Sequence, residues 1–111
     1  GSYYEAIKAE EASIINAYGA DASGASSSNY PSIYAISNSI IDAQRANVSN
    51  SGYDGVWSYG GSIVNIKNIN ATDVTRYTAS VIEGGIITAY NVTENFNQAV
   101  NTITNNGIIF K

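Results

Sequence analysis

The segment that most constrains this chain is its opening, YYEAIKAEEASIINAY (3–18), which reads as one amphipathic helix. Tyr4, Ile7, Ile14, Ile15 and Tyr18 fall close to one stripe, and Glu5, Lys8 and Glu11 lie elsewhere. Ala6, Ala9 and Ala12 are strong helix formers, and Gly19 suits the left-handed residue that closes a helix. The only capping residue ahead of Tyr3 is Ser2, and Gly1-Ser2 reads as the scar of a removed expression tag. No Met occurs. The expectation is a helix cut partway along, with an apolar, membrane-spanning stretch upstream and one domain over residues 3–111.

Composition narrows the chemistry. At 111 residues the chain is long enough for one domain with its own core. It has no Cys, which excludes disulfides and thiolate metal sites, and no His, which removes the commonest general base and metal ligand. The five basic residues, Lys8, Arg45, Lys67, Arg76 and Lys111, are scattered in a chain of net charge −4, so nucleic-acid binding is not expected. Charged residues make up 13%, about half the usual share, and Ser, Thr, Asn, Gly and Tyr replace them. Such neutral polar surfaces suit extracellular proteins and assembly subunits. No apolar run reaches the roughly 20 residues that cross a bilayer.

Further along, residues 20–30 read as a polar loop of small residues. Pro31 then opens a second helix over 32–46, with Ile33, Ile36, Ile40 and Ile41 at helical spacing. NVSNSGYDG (47–55) reads as a loop. SIVNIKNI (62–69), RYTASVI (76–82), 86–90 and 108–110 read as strands, with a hairpin turn at Gly84-Gly85. Asn91 and Glu94 form a capping box for a third helix over 91–103, whose apolar stripe is Val92, Phe96, Ala99, Val100 and Ile103. No internal repeat is expected. The predicted class is α+β, with the N-terminal helix packed on an antiparallel-rich sheet, a second helix and a C-terminal helix.

Enzyme signals are absent: no nucleophile set, G-x-S-x-G or phosphate loop occurs, so no catalytic residue and no cofactor is expected. Glu10, Glu11 and Glu94 read as solvated carboxylates. Asp54, Asp73 and Glu83 could meet around Ca²⁺, although their spacing matches no calcium loop, and no metal site is expected. Three N-x-S/T triplets begin at Asn47, Asn70 and Asn91, and chance accounts for them in an Asn-rich chain. Tyr18, Tyr30 and Tyr34 would line the second-helix region, and Tyr53, Trp57 and Tyr59 the loop after it. Rings stacking on a sugar are the functional reading, and core or subunit packing the plainer one.

The stretch NYPSIYAISNSIIDAQRANVSNSGYDGVWSYGGSIVNI (29–66), with NVTENFNQAVNTI (91–103) near the end, resembles type IVb pilins. The resemblance implies a pilus subunit whose missing apolar half-helix anchors it in the inner membrane before assembly. In the extracellular filament that half-helix would join copies of itself and other pilins, and the fibre would meet a host or neighbouring-cell receptor. Subunit contacts would then fall on Tyr3, Tyr4, Ile7, Ser26, Ser27 and Tyr30, with Tyr53, Trp57 and Tyr59 as ligand-contact aromatics. The two Cys usual in that family are absent. Alternatives are a minor pilin or secretion pseudopilin, and a secreted carbohydrate-binding adhesin module.

Overall fold

The computed structural model describes residues 4–92, 95–98 and 107–111, without the side chains of Asn97 and Gln98. Among these residues there is no helix. Ten short strands follow one another: β1 (Ile7–Ala9), β2 (Ile14–Asn16), β3 (Ile33–Ala35), β4 (Ile40–Asp42), β5 (Val56–Tyr59), β6 (Ile63–Asn65), β7 (Ala79–Ile82), β8 (Ile86–Thr88), β9 (Phe96–Gln98) and β10 (Ile108–Phe110). Odd-numbered strands form one five-stranded sheet, β1-β3-β5-β7-β9, and even-numbered strands a second, β10-β8-β6-β4-β2. Every pairing is parallel and in register with the next turn of the chain. The molecule is a β-solenoid, and each coil contributes one strand to each sheet.

The expected α+β architecture, with its N-terminal helix on an antiparallel-rich sheet, is therefore overturned. The first predicted helix is β1, a turn and β2. The second is β3, a turn and β4. In the third, the described centre is strand β9, while 93–94 and 99–103 lie outside the described residues. The strands expected near 63, 79, 86 and 108 are present, but Gly84-Gly85 makes no hairpin. It carries the chain from β7 in one sheet to β8 in the other.

An internal repeat also exists. Ile33, Val56 and Ala79 are Cα partners 23 residues apart, and Ile7 precedes Ile33 by 26. Coils superpose Ser-Ile-Ile-Asn (13–16), Ser-Ile-Ile-Asp (39–42), Ser-Ile-Val-Asn (62–65) and Gly-Ile-Ile-Thr (85–88). The second Ile or Val of each unit points inward: Ile41, Val64 and Ile87 are fully buried and Ile109 nearly so. Across the core, Ile33, Val56 and Ala79 from the odd sheet meet them, and Ala17, Ala43, Ile66 and Ala89 fill the next layer. Each fully buried Ile or Val stabilises the coil by about 1.5–3 kcal/mol relative to exposure.

The corners explain why helix is not adopted. Between the two strands of each of the first four coils lie two consecutive left-handed residues: Glu11-Ala12, Ser37-Asn38, Gly60-Gly61 and Glu83-Gly84. Where closure is clearest, Ser13 N–H donates to the Glu10 carbonyl and Gly85 N–H to that of Ile82. This is the two-residue turn with φ positive at both central positions. A second left-handed column, Gly19, Arg45, Asn68 and Asn91, turns the chain after the even strands, and a third comprises Gly24, Asn50 and Asp73. Asn and Asp side chains set these corners from within. Asn16, Asp42 and Asn65 each accept the backbone N–H two residues on, as do Asp21, Asn47 and Asn70. The N-x-S/T residues Asn47 and Asn70 are thus corner caps. A single-bridge ladder, Asp21–Asn47–Asn70, makes the short third side.

Candidate functional site

The outer face of the odd sheet bears a cluster of aromatic residues. Lys8, Tyr34, Trp57 and Ser80 form its outward column, and Tyr59 stands two residues beyond Trp57. Because the period is 23, Tyr34 and Trp57 become neighbours, with ring centroids 5.2 Å apart and planes near perpendicular. Tyr34 also meets Tyr59 at 6.5 Å. Trp57 touches Tyr30 at 6.5 Å and Tyr53 at 6.0 Å, and Tyr30 touches Tyr4 at 6.0 Å. The three extra residues of the first coil lie between its last corner and β3, so the loop reaches far enough to lay Tyr30 over Trp57. Ser27 holds that loop: its Oγ accepts the N–H groups of Asn29 and Tyr30. The layer so formed has a buried floor in Tyr34 and an exposed rim in Tyr4 and Tyr30, with Trp57, Tyr53 and Tyr59 half-buried between.

Beneath the layer lies Asp54, fully buried. Its carboxylate accepts five hydrogen bonds. Arg76 supplies two, from Nε and Nη2, each at 2.8 Å. Trp57 Nε1 donates at 2.6 Å, Ser80 Oγ at 2.9 Å and the Tyr77 backbone N–H at 3.0 Å. Burial pushes the carboxyl pKa up, but the Arg76, Trp57, Tyr77 and Ser80 hydrogen bonds outweigh it and hold the group below its ordinary value. The Arg76 guanidinium lies 3.9 Å from the Tyr53 ring centroid and 4.9 Å from that of Tyr77. Gly55 follows Asp54 because a Cβ there would sit 2.5 Å from the Thr78 carbonyl oxygen. The carboxylate thus fixes the indole edge-on and the arginine flat against tyrosine.

Charges around the layer are compensated locally. Lys8 Nζ lies 5.5 Å from the Tyr34 centroid and pairs with Glu5 at 3.9 Å and Glu10 at 3.6 Å. Burial, then the neighbouring Tyr59, Tyr30, Glu5 and Glu83, push the Tyr34 hydroxyl up to about 12. Tyr59 is raised too, by burial and then by Glu83. Both phenols are therefore neutral hydrogen-bonding groups at physiological pH.

The residues expected to contact a ligand, Tyr53, Trp57 and Tyr59, come together here. Of those expected at subunit contacts, Tyr4 and Tyr30 join the same layer. Ile7 is half-buried on β1 against the core, Ser26 is exposed, Ser27 is buried and Tyr3 lies outside the described residues. Tyr18 is exposed at a distant corner. The pairing of Tyr34 with Trp57, the part of Arg76 and the anchoring role of Asp54 are not evident from the sequence pattern above, and the 23-residue spacing of Tyr34 and Trp57 is the signal that joins those two rings. Asp54, Asp73 and Glu83 do not converge: Asp54 is buried, and Asp73 and Glu83 occupy exposed corners in different columns. Among the described residues no group of three metal-ligating side chains occurs, and no helix is long and apolar enough to cross a membrane. A separate cavity of about 380 Å³ is lined by Ile69 to Val74, Thr78 and Asn95. The chain matches no protein-family model, no curated protein and no solved structure in comparison with each.

Proposed function

We propose that this chain is a non-enzymatic, extracellular saccharide-binding module of the adhesin type, with the aromatic layer of the odd sheet as its binding face. The observation that carries this reading is the continuous set Tyr4, Tyr30, Trp57, Tyr34 and Tyr59, joined ring to ring on a rigid parallel sheet. Tyr and Trp supply large contact area at small entropic cost, and phenol hydroxyls at the edges can bond sugar hydroxyls. The Asp54 anchor favours the reading, since it immobilises Trp57 before any ligand arrives. The ligand is a neutral polysaccharide: Lys8 and Arg76 are already paired with carboxylates, leaving no unmatched positive charge beside the rings for an acidic one. The pilus-subunit reading rested on an opening helix, and the strands β1 and β2 remove that ground.

Trp57 is the sole tryptophan, so its emission reports on the face directly. Titration with neutral oligosaccharides such as β-glucan, mannan and chitin fragments should shift that emission saturably. Tyr30→Ala removes an exposed ring without touching the core and should weaken binding about tenfold, or roughly 1.4 kcal/mol. No saturable binder on a broad glycan array, or affinity untouched by Tyr30→Ala and Tyr59→Ala alike, would defeat the reading.

A further inference from the structure

The even sheet presents an equally regular outer face of different chemistry. Ile14, Ile40, Ile63, Ile86 and Ile108 are in-register Cα partners along β2, β4, β6, β8 and β10. Their side chains point away from the core. Ile14 is 77% exposed, Ile40 and Ile63 41% each and Ile108 45%, with Ile86 half-buried. The neighbouring outward column is Asn16, Asp42, Asn65, Thr88 and Phe110, and Phe110 is itself 51% exposed. In that column Asn16, Asp42 and Asn65 hold backbone N–H groups with their side-chain oxygens, so they stay close to the corner. Asp42 is the only ionisable residue among these ten positions. Scattered isoleucines on a surface need no explanation, whereas five stacked in one ridge do.

We infer that this ridge is a self-association surface, and that its occupant is a second copy of this chain, seated ridge to ridge about a two-fold axis. Three observations select that occupant. The ridge repeats one side chain at the strand spacing of about 4.8 Å, so an identical ridge running the opposite way can interdigitate with it at a half-step offset. Its near-neutrality means that two copies meet without stacked like charges, and a two-fold arrangement closes on itself as a dimer. Its size also fits. Four strand spacings give a length on the order of 19 Å. Two such faces with their margins fall near the roughly 1,000 Å² at the low end of specific interfaces. The ridge itself carries no side-chain hydrogen-bonding group, which argues against a polar or saccharide ligand there. The dimer is accordingly a weak one. It leaves the two aromatic layers on opposite outer faces, so a saccharide-binding chain becomes bivalent. The self-association stands independently of the saccharide reading.

Sedimentation equilibrium over concentrations from about 1 μM to 1 mM should show a monomer–dimer equilibrium with a midpoint in the micromolar range or above. Ile40→Lys and Ile63→Lys should each weaken it at least tenfold, and the double variant should be monomeric throughout. Ile63→Thr keeps the β-branched shape, guards against a folding artefact and should weaken the dimer in proportion to the lost apolar surface. Trp57→Phe, on the other face, should leave the dimer intact. A wild-type chain that stays monomeric across the range overturns the inference. So does a dimer that survives both lysine substitutions. Binding to neutral phosphatidylcholine vesicles by a chain that never dimerises would give the ridge to a lipid surface and overturn it equally.

Discussion

Asp54 grips Arg76 through both its Nε and Nη2 while itself fully buried, and that clamp ties the coil ending at Gly55 to the one ending at Thr78. Removing the carboxylate strands the Trp57 indole N–H and the Ser80 hydroxyl together. Asp54→Ala should cost about 1–3 kcal/mol, the range for leaving buried donors without an acceptor, because the Arg76 side chain is 39% exposed and turns to water. Arg76→Lys should cost less but still destabilise, because lysine cannot reproduce the two-pronged bond or lie flat on Tyr53. Urea denaturation midpoints of the three chains measure both effects.

The same clamp sets the acid limit of the fold. The folded pKa of Asp54 is depressed, so its contribution is fully present above the unfolded carboxylate value of about 3.9. It is lost as pH falls from there through the folded value. Stability measured against pH should drop over that acid window, and Asp54→Asn should flatten the drop attributable to this group. An unchanged pH profile in the Asn variant would show that other carboxylates set the limit.

Tyr34 acts at the opposite end of the scale. Its folded pKa of about 12 exceeds the ordinary 10, so its contribution is complete below pH 10 and disappears as pH rises through 12. Tyrosinate absorbance should show a phenol titrating near pH 12, with alkaline loosening of the aromatic layer in the same interval. Tyr34→Phe should abolish that late titration.

Ile40 and Ile41 are adjacent in sequence and face opposite ways. Ile41 is 1% exposed and Ile40 41%. Ile41→Ala should cost about 2–5 kcal/mol, and Ile40→Ala less than about 0.5 kcal/mol in dilute, monomeric solution. Thermal unfolding of the two variants checks the register of the even sheet directly, since a one-residue slip would exchange the two outcomes.

Arg45 stands in the left-handed region at φ 58°, in a column otherwise made of Gly19, Asn68 and Asn91. An ordinary side chain in that conformation costs about 1–2 kcal/mol, and Asn costs less. Arg45 is exposed and forms no ion pair among the described residues. Arg45→Asn should therefore stabilise the chain by about 0.5–1 kcal/mol, read as a higher denaturation midpoint.

The strands at 63–65, 79–82, 86–88 and 108–110 were legible because branched residues cluster there beside Gly and Asn. The helices read from Ile7, Ile14 and Ile15, and from Ile33, Ile36, Ile40 and Ile41, were not. Their three- and four-residue steps mix faces, since Ile33 and Ile41 point to the core and Ile14 and Ile40 to solvent, and the two-residue left-handed corner between the strands only gives them a helix-like spacing. The Ile-Ile and Ile-Val doublets were the better signal. A doublet with one member in the core and one in solvent is a strand pattern, and its return every 22 to 26 residues is a coil. Ala at 6, 9 and 12 reinforced the helical reading through intrinsic propensity, which tertiary stacking overrides. Trp57 and Tyr59 could be named as candidate ligand contacts from sequence. Their partnership with Tyr34 and Arg76 could not, because it depends on the pitch of the solenoid.

Equal pitch has a further meaning for how such a chain tolerates change. Since Ile33, Val56 and Ala79 follow at one interval, excising 33–55 would splice the first turn onto the third with every inward and outward position kept in phase. Loss of a residue within a strand or its left-handed corner would break that phase locally, whereas the connecting segments absorb length, since Ile7 and Ile33, 26 apart, and Ala79 and Phe96, 17 apart, still pair in register. The molecule is built in discrete thicknesses, and lengthening or shortening it is a matter of adding or removing complete windings.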